Sequence, residues 1–423
     1  LLAGTLVLAR LDLSLRVIWP PLVAFAVILM TRHALQGLVA GAVAGALVAT
    51  GAHPLDAFMA LLIDHLAPSL TSPWKLGAIW FTLILGGFAA ILEAGGGFTV
   101  LLRKFAGRRG DAARNLETAA AGLGVLCFFD GLANSMVVGR VSRDLADSAG
   151  VARVKLAYIT DSTRSAVACV ALISTWFAFQ LTRIGEAFTL AGRDANPYLV
   201  FLRSLPHNYY CWFTLVLLFV AVRHSCNMGP MREFVQEARE RAGTDLEILA
   251  DPSAGRPYTV LLPLAILILS FFILFLLLGV QGPLLPLTRD KLVAAFGSDA
   301  GPKVLILAAV IASLAAVLFY PRATRGGWSG AGRAFGGGVG AMVRPIFILV
   351  AAWMLGSVLG DLGTADLIAG LATGSGSLPW FPTLVFLTGA VVSFSTGTSW
   401  GTMGLMFPLA VPAAASLGAD DAF

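Results

Sequence analysis

The stretch Phe-Phe-Asp-Gly-Leu-Ala-Asn-Ser at residues 128–135 lies in the middle of an apolar region, 115–139, that is otherwise long enough to enter a bilayer. A second apolar region, 380–417, is interrupted in the same way by Ser-Phe-Ser-Thr-Gly-Thr-Ser-Trp-Gly-Thr at 393–402. Non-helical backbone at membrane depth is stable only where protein or a wet cavity surrounds it. We therefore predict two helical hairpins that enter the membrane, turn, and leave on the side they entered.

The composition of the whole chain places it in a membrane. Hydrophobic residues make up 57% of the 423 residues and charged residues only 13%, whereas a soluble domain carries about a quarter charged residues. Too few charges remain to cover a soluble surface, so we expect the lipid bilayer to be the partner that covers it. Outside the two interrupted regions, apolar runs of roughly spanning length predict eight further helices, at 17–31, 34–52, 74–94, 156–181, 208–222, 258–280, 303–320 and 345–360.

The basic residues test the hairpin hypothesis, because cytoplasmic loops collect Lys and Arg. Basic clusters flank the region 115–139 on both sides, and a single full span there would put them on opposite faces of the membrane. A re-entrant hairpin puts both clusters inside, together with 223–257 and 321–344. The region 380–417 then opens from outside. The small net charge of +5 follows this layout and suggests no nucleic-acid partner, and we expect a multi-pass protein of the cytoplasmic (inner) membrane.

The chain repeats one order of parts in two places. A span ending near 94, or near 361, is followed by an amphipathic segment and then by an interrupted region. The predicted topology gives the two sets opposite orientation, as in transporters with inverted repeats. We divide the chain into N-terminal scaffold spans (1–73), a first repeat (74–181) with its hairpin (115–139) and following span, scaffold spans (182–320) with a cytoplasmic loop (223–257), and a second repeat (321–423) with its hairpin (380–417).

The polar residues within these regions are candidates for a binding site, since ionisable groups in a membrane cost about 2.5–3.5 kcal/mol on insertion scales and mark function. Asp130, Asn134 and Ser135 lie in the first interruption, and Asp161 lies in an apolar span. Oxygen ligands suit a hard cation such as Na⁺, so Asp130 and Asp161 are the predicted Na⁺ ligands, and a carboxylate can bind H⁺ instead. Hydroxyl ligands come from the second interruption, namely Thr398, Ser399 and Thr402.

Structural roles compete with these functional ones. Asp130 can cap the second helix of its hairpin, and Asp161 can pair with Arg164, three residues on and on the same helix face. A stripe of small residues predicts close helix packing within the scaffold or at a homodimer contact: Gly37, Gly41 and Gly45.

A catalytic function is not expected. Residues 397–401 fit the pattern G-x-S-x-G of a serine nucleophile. The serine needs a base within reach, however, and no histidine follows His224. We therefore expect neither an enzyme nor a resident cofactor, only transported Na⁺ and H⁺.

Four motifs resemble those of the NhaC-type Na⁺/H⁺ antiporters of the ion transporter superfamily. They are Phe-Asp-Gly-Leu-Ala-Asn-Ser-Met-Val-Val-Gly at 129–139, Lys-Leu-Ala-Tyr-Ile-Thr-Asp-Ser-Thr at 155–163, Ser-Thr-Trp at 174–176 and Gly-Thr-Ser-Trp-Gly-Thr at 397–402. The resemblance implies an elevator-type antiporter that exchanges Na⁺ for H⁺. By position it gives site roles to Asp130, Asn134, Asp161, Ser162, Thr163, Thr398, Ser399 and Thr402.

Arg164 departs from the family pattern, which usually continues with small residues and a proline after Asp-Ser-Thr. The arginine can neutralise Asp161, which would leave Asp130 as the only titrating acid. It can instead bind a substrate carboxylate, because guanidinium pairs with carboxylates in a bidentate way. The alternative function is therefore a Na⁺- or H⁺-coupled exchanger or symporter of a small organic acid or amino acid.

Overall fold

The protein was analysed as a computed structural model. It describes residues 5, 14–106, 111–136, 138–139, 142–227, 229–241, 256–280, 285–286, 288–296, 298, 300–324, 326–364, 380–396 and 399–419. These residues form helices and their connections and no β-strand, which confirms the prediction of an all-α fold.

The helices are numbered in chain order. The first ten are α1 Trp19–Thr31, α2 Ala34–Ala49, α3 Pro54–Thr71 (with a π-helical turn at Leu61–Leu66), α4 Pro73–Ala94, α5 Gly97–Ala106, α6 Ala112–Leu126, α7 Gly131–Met136, α8 Arg143–Ala149, α9 Arg153–Val170 and α10 Thr175–Leu190. The second ten are α11 Pro197–Ser204, α12 Tyr209–Arg223, α13 Met231–Arg241, α14 Tyr258–Gly279, α15 Arg289–Phe296, α16 Gly301–Ala323, α17 Gly327–Ala341, α18 Val343–Asp361, α19 Phe381–Thr396 and α20 Ser399–Ser416.

The chain forms two compact units. The first unit consists of Leu1–Ile79, Phe179–Ser204 and Val343–Phe423, and the second of Trp80–Ala178 and Leu205–Met342. Each unit is therefore assembled from separate parts of the sequence. The four functional segments of the sequence analysis stay a prediction.

Within the first unit, α2 packs between α1 and α18 along its glycine stripe. A Cβ atom on Gly37 would lie 2.3 Å from Ile28 Cγ1 and 2.7 Å from the carbonyl oxygen of Ala24, both on α1. A Cβ atom on Gly45 would lie 2.3 Å from Val358 Cγ1 on α18. The stripe therefore brings helices of the same chain together, and the homodimer stays a prediction without support from these glycines.

Within the second unit, the strongest packing is between α14 and α16, both long and apolar. Helix α17 also lies close to α4, because a Cβ atom on Gly338 would fall 2.2 Å from the carbonyl oxygen of Gly86. An aromatic group joins α14 to α15, with the rings of Phe275 and Phe296 4.7 Å apart.

Among the described residues, four helical stretches are long and apolar enough to cross a membrane: Lys75–Ala94, Tyr258–Gly279, Gly301–Arg322 and Gly327–Asp361. Counting each sharply bent helix pair as one span raises this to up to seven, fewer than the eight predicted full spans. The predicted span 156–181 falls on α9 and α10, which are bent by 47° at a break and together are long and apolar enough for one broken span. One prediction is wrong. The predicted loop 321–344 contains α17, because its glycines allow close packing on α4.

Gly37→Ala is expected to destabilise the protein by about 1–3 kcal/mol, the usual cost of overpacking, since the added methyl group meets the backbone of α1. Thermal unfolding of the purified protein in detergent measures the change. Gly336→Ala on α17 is the matched control, because its added methyl group meets open space. Alanine also favours a helix over glycine, so the control should melt at the same temperature or higher. Equal melting of the two variants would contradict the packing assignment.

Candidate functional site

The first interruption lies where the sequence placed it. Helix α6 ends at Leu126, the chain turns through residues 127–130, and α7 begins at Gly131. The ring of Phe129 is fully buried and meets Phe88 of α4 edge to face, with centroids 5.5 Å apart. Aromatic packing therefore fixes the turn that carries Asp130.

A further interruption, distinct from the one predicted at 393–402, separates α9 from α10 at residues 171–174, where we predicted one continuous span. The Ser174 hydroxyl donates to the carbonyl oxygen of Ala168 at 2.8 Å and accepts the backbone N–H of Phe177 at 2.9 Å. One side chain thus satisfies a carbonyl at the end of α9 and an N–H at the start of α10, as a helix cap does.

The interruptions at 127–130 and 171–174 meet at Thr175, the first residue of α10. Its backbone N–H donates to the carbonyl oxygen of Phe129 at 3.0 Å, and its hydroxyl donates to Asp130 Oδ1 at 3.2 Å. Asp130 is only 3% exposed. The Asp130 carboxylate is therefore held against the first residue of α10, and Thr175 becomes a candidate site residue that was not among the sequence predictions. Its signals in the sequence were its polarity within an apolar run and its place in the Ser-Thr-Trp motif at 174–176.

Asn134 joins three helices behind Asp130. Its amide nitrogen donates to the carbonyl oxygen of Gly124 on α6 at 2.8 Å, and its Oδ1 accepts the Thr163 hydroxyl of α9 at 3.3 Å. A Cβ atom on Gly124 would lie 2.3 Å from Thr163 Oγ1, so α6 and α9 can approach only with glycine here. Asn134 and Thr163 thus meet and support the turn from its buried side, and their part in ion binding stays a prediction.

Three other predicted residues line one open cavity of about 450 Å³ in the second unit: Ser135, Asp161 and Arg164. Its remaining lining is Gly139, Arg143, Arg153, Leu156, Ala157 and Thr160. One face of α9 therefore supplies most of the wall. Asp130 is not part of this lining, so the two predicted Na⁺ ligands, Asp130 and Asp161, occupy different surroundings.

Arg164 connects the cavity with the turn. A Cβ atom on Gly131 would lie 3.3 Å from Arg164 Cγ and 3.4 Å from Trp176 Nε1, so both side chains lie over the residue that follows Asp130. In the described part of the chain no ion pair joins Arg164 to Asp161. The proposed neutralisation of Asp161 by Arg164 is therefore not seen.

The outer part of the cavity carries an exposed ion pair. Arg153 Nε and Nη2 donate to the two carboxylate oxygens of Asp147, at 2.9 and 2.7 Å. These hydrogen bonds hold the pKa of Asp147 below its ordinary value. Arg153 is thus partly neutralised at the rim of the cavity.

A buried ion pair joins α6 to α9 on another face. Lys155 Nζ lies 2.7 Å from Glu117 Oε2, and both side chains are almost fully buried. Neither residue was a sequence candidate, because a single Lys or Glu near a helix end resembles an interfacial charge. Removing one partner of a buried pair leaves the other charge without compensation.

The second predicted hairpin lies in the first unit. Helix α19 ends at Thr396 and α20 begins at Ser399, and the two helices pack on each other. Thr398 lies outside the described residues. Ser399 and Thr402 belong to the first two turns of α20, and Ser162 is buried on α9 in the second unit. The predicted site residues are therefore divided between the two units. Within the described residues, no group of three or more His, Cys, Asp or Glu side chains forms a metal cluster.

The chain is similar to a family model, to a curated protein and to a solved structure. The model of the Na⁺/H⁺ antiporter family matches residues 167–422. An uncharacterized protein of Haemophilus influenzae is 26% identical over 414 residues, which cover 94% of this chain and 77% of that protein. In fold, the chain is similar to the YdaH transporter of Alcanivorax borkumensis, whose crystal structure is described as revealing an unusual topology. The TM-score is 0.56 with 15% identity, over 87% of this chain and 75% of that one.

Lys155→Met is expected to lower the free energy of unfolding by about 3–5 kcal/mol, because it leaves the Glu117 carboxylate buried without a partner. Thermal unfolding in detergent checks this. The double variant Glu117→Leu/Lys155→Met should recover most of the stability, since replacing both charges by apolar groups is often neutral.

Arg153→Met is the matched control, two residues earlier on the same helix. It breaks the exposed pair with Asp147 and should cost no more than about 1 kcal/mol. A Lys155→Met loss no larger than that of the control would show that the Glu117 carboxylate is solvated or neutral.

Proposed function

The chain belongs to the Na⁺/H⁺ antiporter family, and on that premise we propose that it exchanges Na⁺ for H⁺ across the cytoplasmic membrane, with Asp130 binding the two ions in turn. Its family and its apolar helices make it a multi-pass membrane transporter. The single observation that carries the proposal is the buried Asp130 carboxylate held where two helix interruptions meet.

The surroundings of Asp130 suit a small cation. A buried carboxylate is costly to keep charged unless a cation or a proton neutralises it, and the Thr175 hydroxyl is one of the groups that contact it. Oxygen atoms of the carboxylate, of the Thr175 hydroxyl and of the Phe129 carbonyl lie on adjacent residues of the two interruptions. Such oxygens are the ligands of hard cations. A proton on the carboxylate neutralises it equally well, so one group serves both ions at different times.

The competition between Na⁺ and H⁺ gives exchange rather than leak. When Asp130 holds Na⁺ it cannot hold H⁺, and the empty carboxylate is costly in either orientation of the site. A cycle that crosses only with one ion bound therefore couples the two fluxes. A passive pore would show neither saturation nor dependence on the pH gradient.

Three parts of this proposal rest on the sequence resemblance and the repeated order of parts. They are the contribution of Thr398, Ser399 and Thr402 as further ligands, the inverted repeats, and an elevator movement. The similarity in fold to the YdaH transporter is consistent with a membrane transporter but supports none of these three parts. The organic-acid alternative gains nothing from the family match, and Arg164 stays its candidate residue.

Asp130→Asn is expected to abolish pH-driven Na⁺ uptake, because an amide neither carries negative charge nor exchanges a proton. The assay uses proteoliposomes with an imposed pH gradient and compares Na⁺, Li⁺ and K⁺, with malate and amino acids as further solutes. Asp147→Asn is the matched control, since this carboxylate is exposed and already paired with Arg153. Retained uptake by Asp130→Asn would overturn the assignment. Uptake of an organic acid that Arg164→Ala abolishes would favour the alternative.

Thr175→Val is expected to raise the Na⁺ concentration for half-maximal uptake about tenfold, since it removes a hydrogen bond to a charged group worth about 1.5 kcal/mol. Thr175→Ser keeps the hydroxyl and should behave as the wild type. Thr189→Val is the control on the same helix, because Thr189 is exposed and its hydroxyl donates to the carbonyl oxygen of Gly185 within its own helix. A Thr175→Val protein with unchanged Na⁺ dependence would remove Thr175 from the site.

A further inference from the structure

A second group of charged side chains lies in the first unit, and the mechanism above does not use it. Lys75 Nζ on α4 lies 3.4 Å from Glu186 Oε1 on α10, and Arg183 on α10 pairs with the same carboxylate. The exposed fractions of the side chains are 19% for Lys75, 13% for Glu186 and 0% for Arg183. Two cations therefore share one carboxylate in a largely buried place.

The groups around Lys75 add no second negative charge. The ammonium lies 5.4 Å from the ring centroid of the buried Trp353 on α18, and it donates to Ser69 Oγ of α3 at 3.4 Å. Arg183 donates to the carbonyl oxygen of Ala352 at 2.9 Å.

Two titratable groups on the helices that contact Lys75, His65 on α3 and Asp361 on α18, pair with each other. On α3, His65 Nδ1 lies 2.9 Å from the hydroxyl of Ser357. His65 Nε2 lies 3.8 Å from Asp361 Oδ2, a carboxylate that is 65% exposed. Among the described residues, the buried cluster is left with a surplus of one positive charge when Lys75 is protonated.

Only one of the three groups can remove that surplus. A guanidinium does not lose its proton in proteins, so Arg183 stays charged, and Glu186 is already paired with two cations. Lysine loses its proton readily when buried. Among the described residues, Lys75 donates to Ser69 Oγ and Glu186 Oε1. A neutral amine keeps two N–H donors, enough for both, so Lys75 can lose one proton without giving up either hydrogen bond.

We propose that Lys75 is a second proton-binding site of the exchange cycle, loaded as the ammonium and discharged as the neutral amine while Arg183 and Glu186 remain a neutral pair. The step is the release of one proton from the ammonium, and no other bond changes. This inference rests on the proposed Na⁺/H⁺ exchange. It adds to that proposal a cycle in which one Na⁺ is exchanged for two protons, one on Asp130 and one on Lys75, so that net charge crosses the membrane.

The test measures the proton-to-sodium ratio. Proteoliposomes containing the full chain are held at fixed Na⁺ and pH gradients, the membrane potential is set with K⁺ and valinomycin, and the potential at which Na⁺ flux stops is determined. The wild type should give two protons per Na⁺, and Lys75→Gln should give one. Lys303→Gln is the matched control, since Lys303 is exposed at the start of α16 and, like Lys75, lies just after a helix-starting proline. The control should keep the wild-type ratio.

Lys75→Arg separates a proton site from a structural charge. A guanidinium keeps the positive charge but does not discharge, so a proton site predicts that this variant loses the wild-type ratio or all exchange while it elutes and melts as a folded protein. Wild-type behaviour of Lys75→Arg, an unchanged ratio in Lys75→Gln, or one proton per Na⁺ in the wild type would overturn the inference. Absence of Na⁺/H⁺ exchange in the wild type would instead overturn the proposed function itself.

Discussion

The site depends on two hydrogen bonds that Thr175 makes to one turn of the chain, one to the backbone of Phe129 and one to the carboxylate of Asp130. Interrupting a helix in an apolar environment exposes polar backbone groups, which cost free energy unless they are paired. Here one interruption supplies the partner for the other. The same requirement that stabilises the breaks therefore also concentrates carbonyl, hydroxyl and carboxylate oxygens at one place, which is what a cation needs.

Close approach of helices makes this arrangement available. Gly124 lets α6 approach Thr163, and Gly131 lets Arg164 and Trp176 lie over the turn. Interfaces between apolar helices use small residues because dispersion and hydrogen bonding improve with short distances. The glycines thus act on the site indirectly, by determining how near the helices that carry polar groups can come.

The two units differ in how their buried charges are compensated. In the second unit Glu117 and Lys155 compensate one for one, which holds α6 against α9 with no charge left over. In the first unit Lys75 and Arg183 share Glu186. A cluster with surplus positive charge favours losing a proton.

The sequence by itself determined the membrane class and the position of the interruption at 128–135, because hydrophobicity and helix-breaking residues act locally. It also selected Asp130 and Asn134, since polar residues in apolar regions are conspicuous, and the family resemblance added Thr163. Only the tertiary structure showed that α9 and α10 are separate helices, that α17 is a helix rather than a loop, and that Thr175 bonds to Asp130 across 45 positions of the chain. Lys75 and Glu186, 111 positions apart, are a further case. Such pairs form only when helices pack against each other, so the residues next to each partner in the sequence do not indicate which distant residue it contacts.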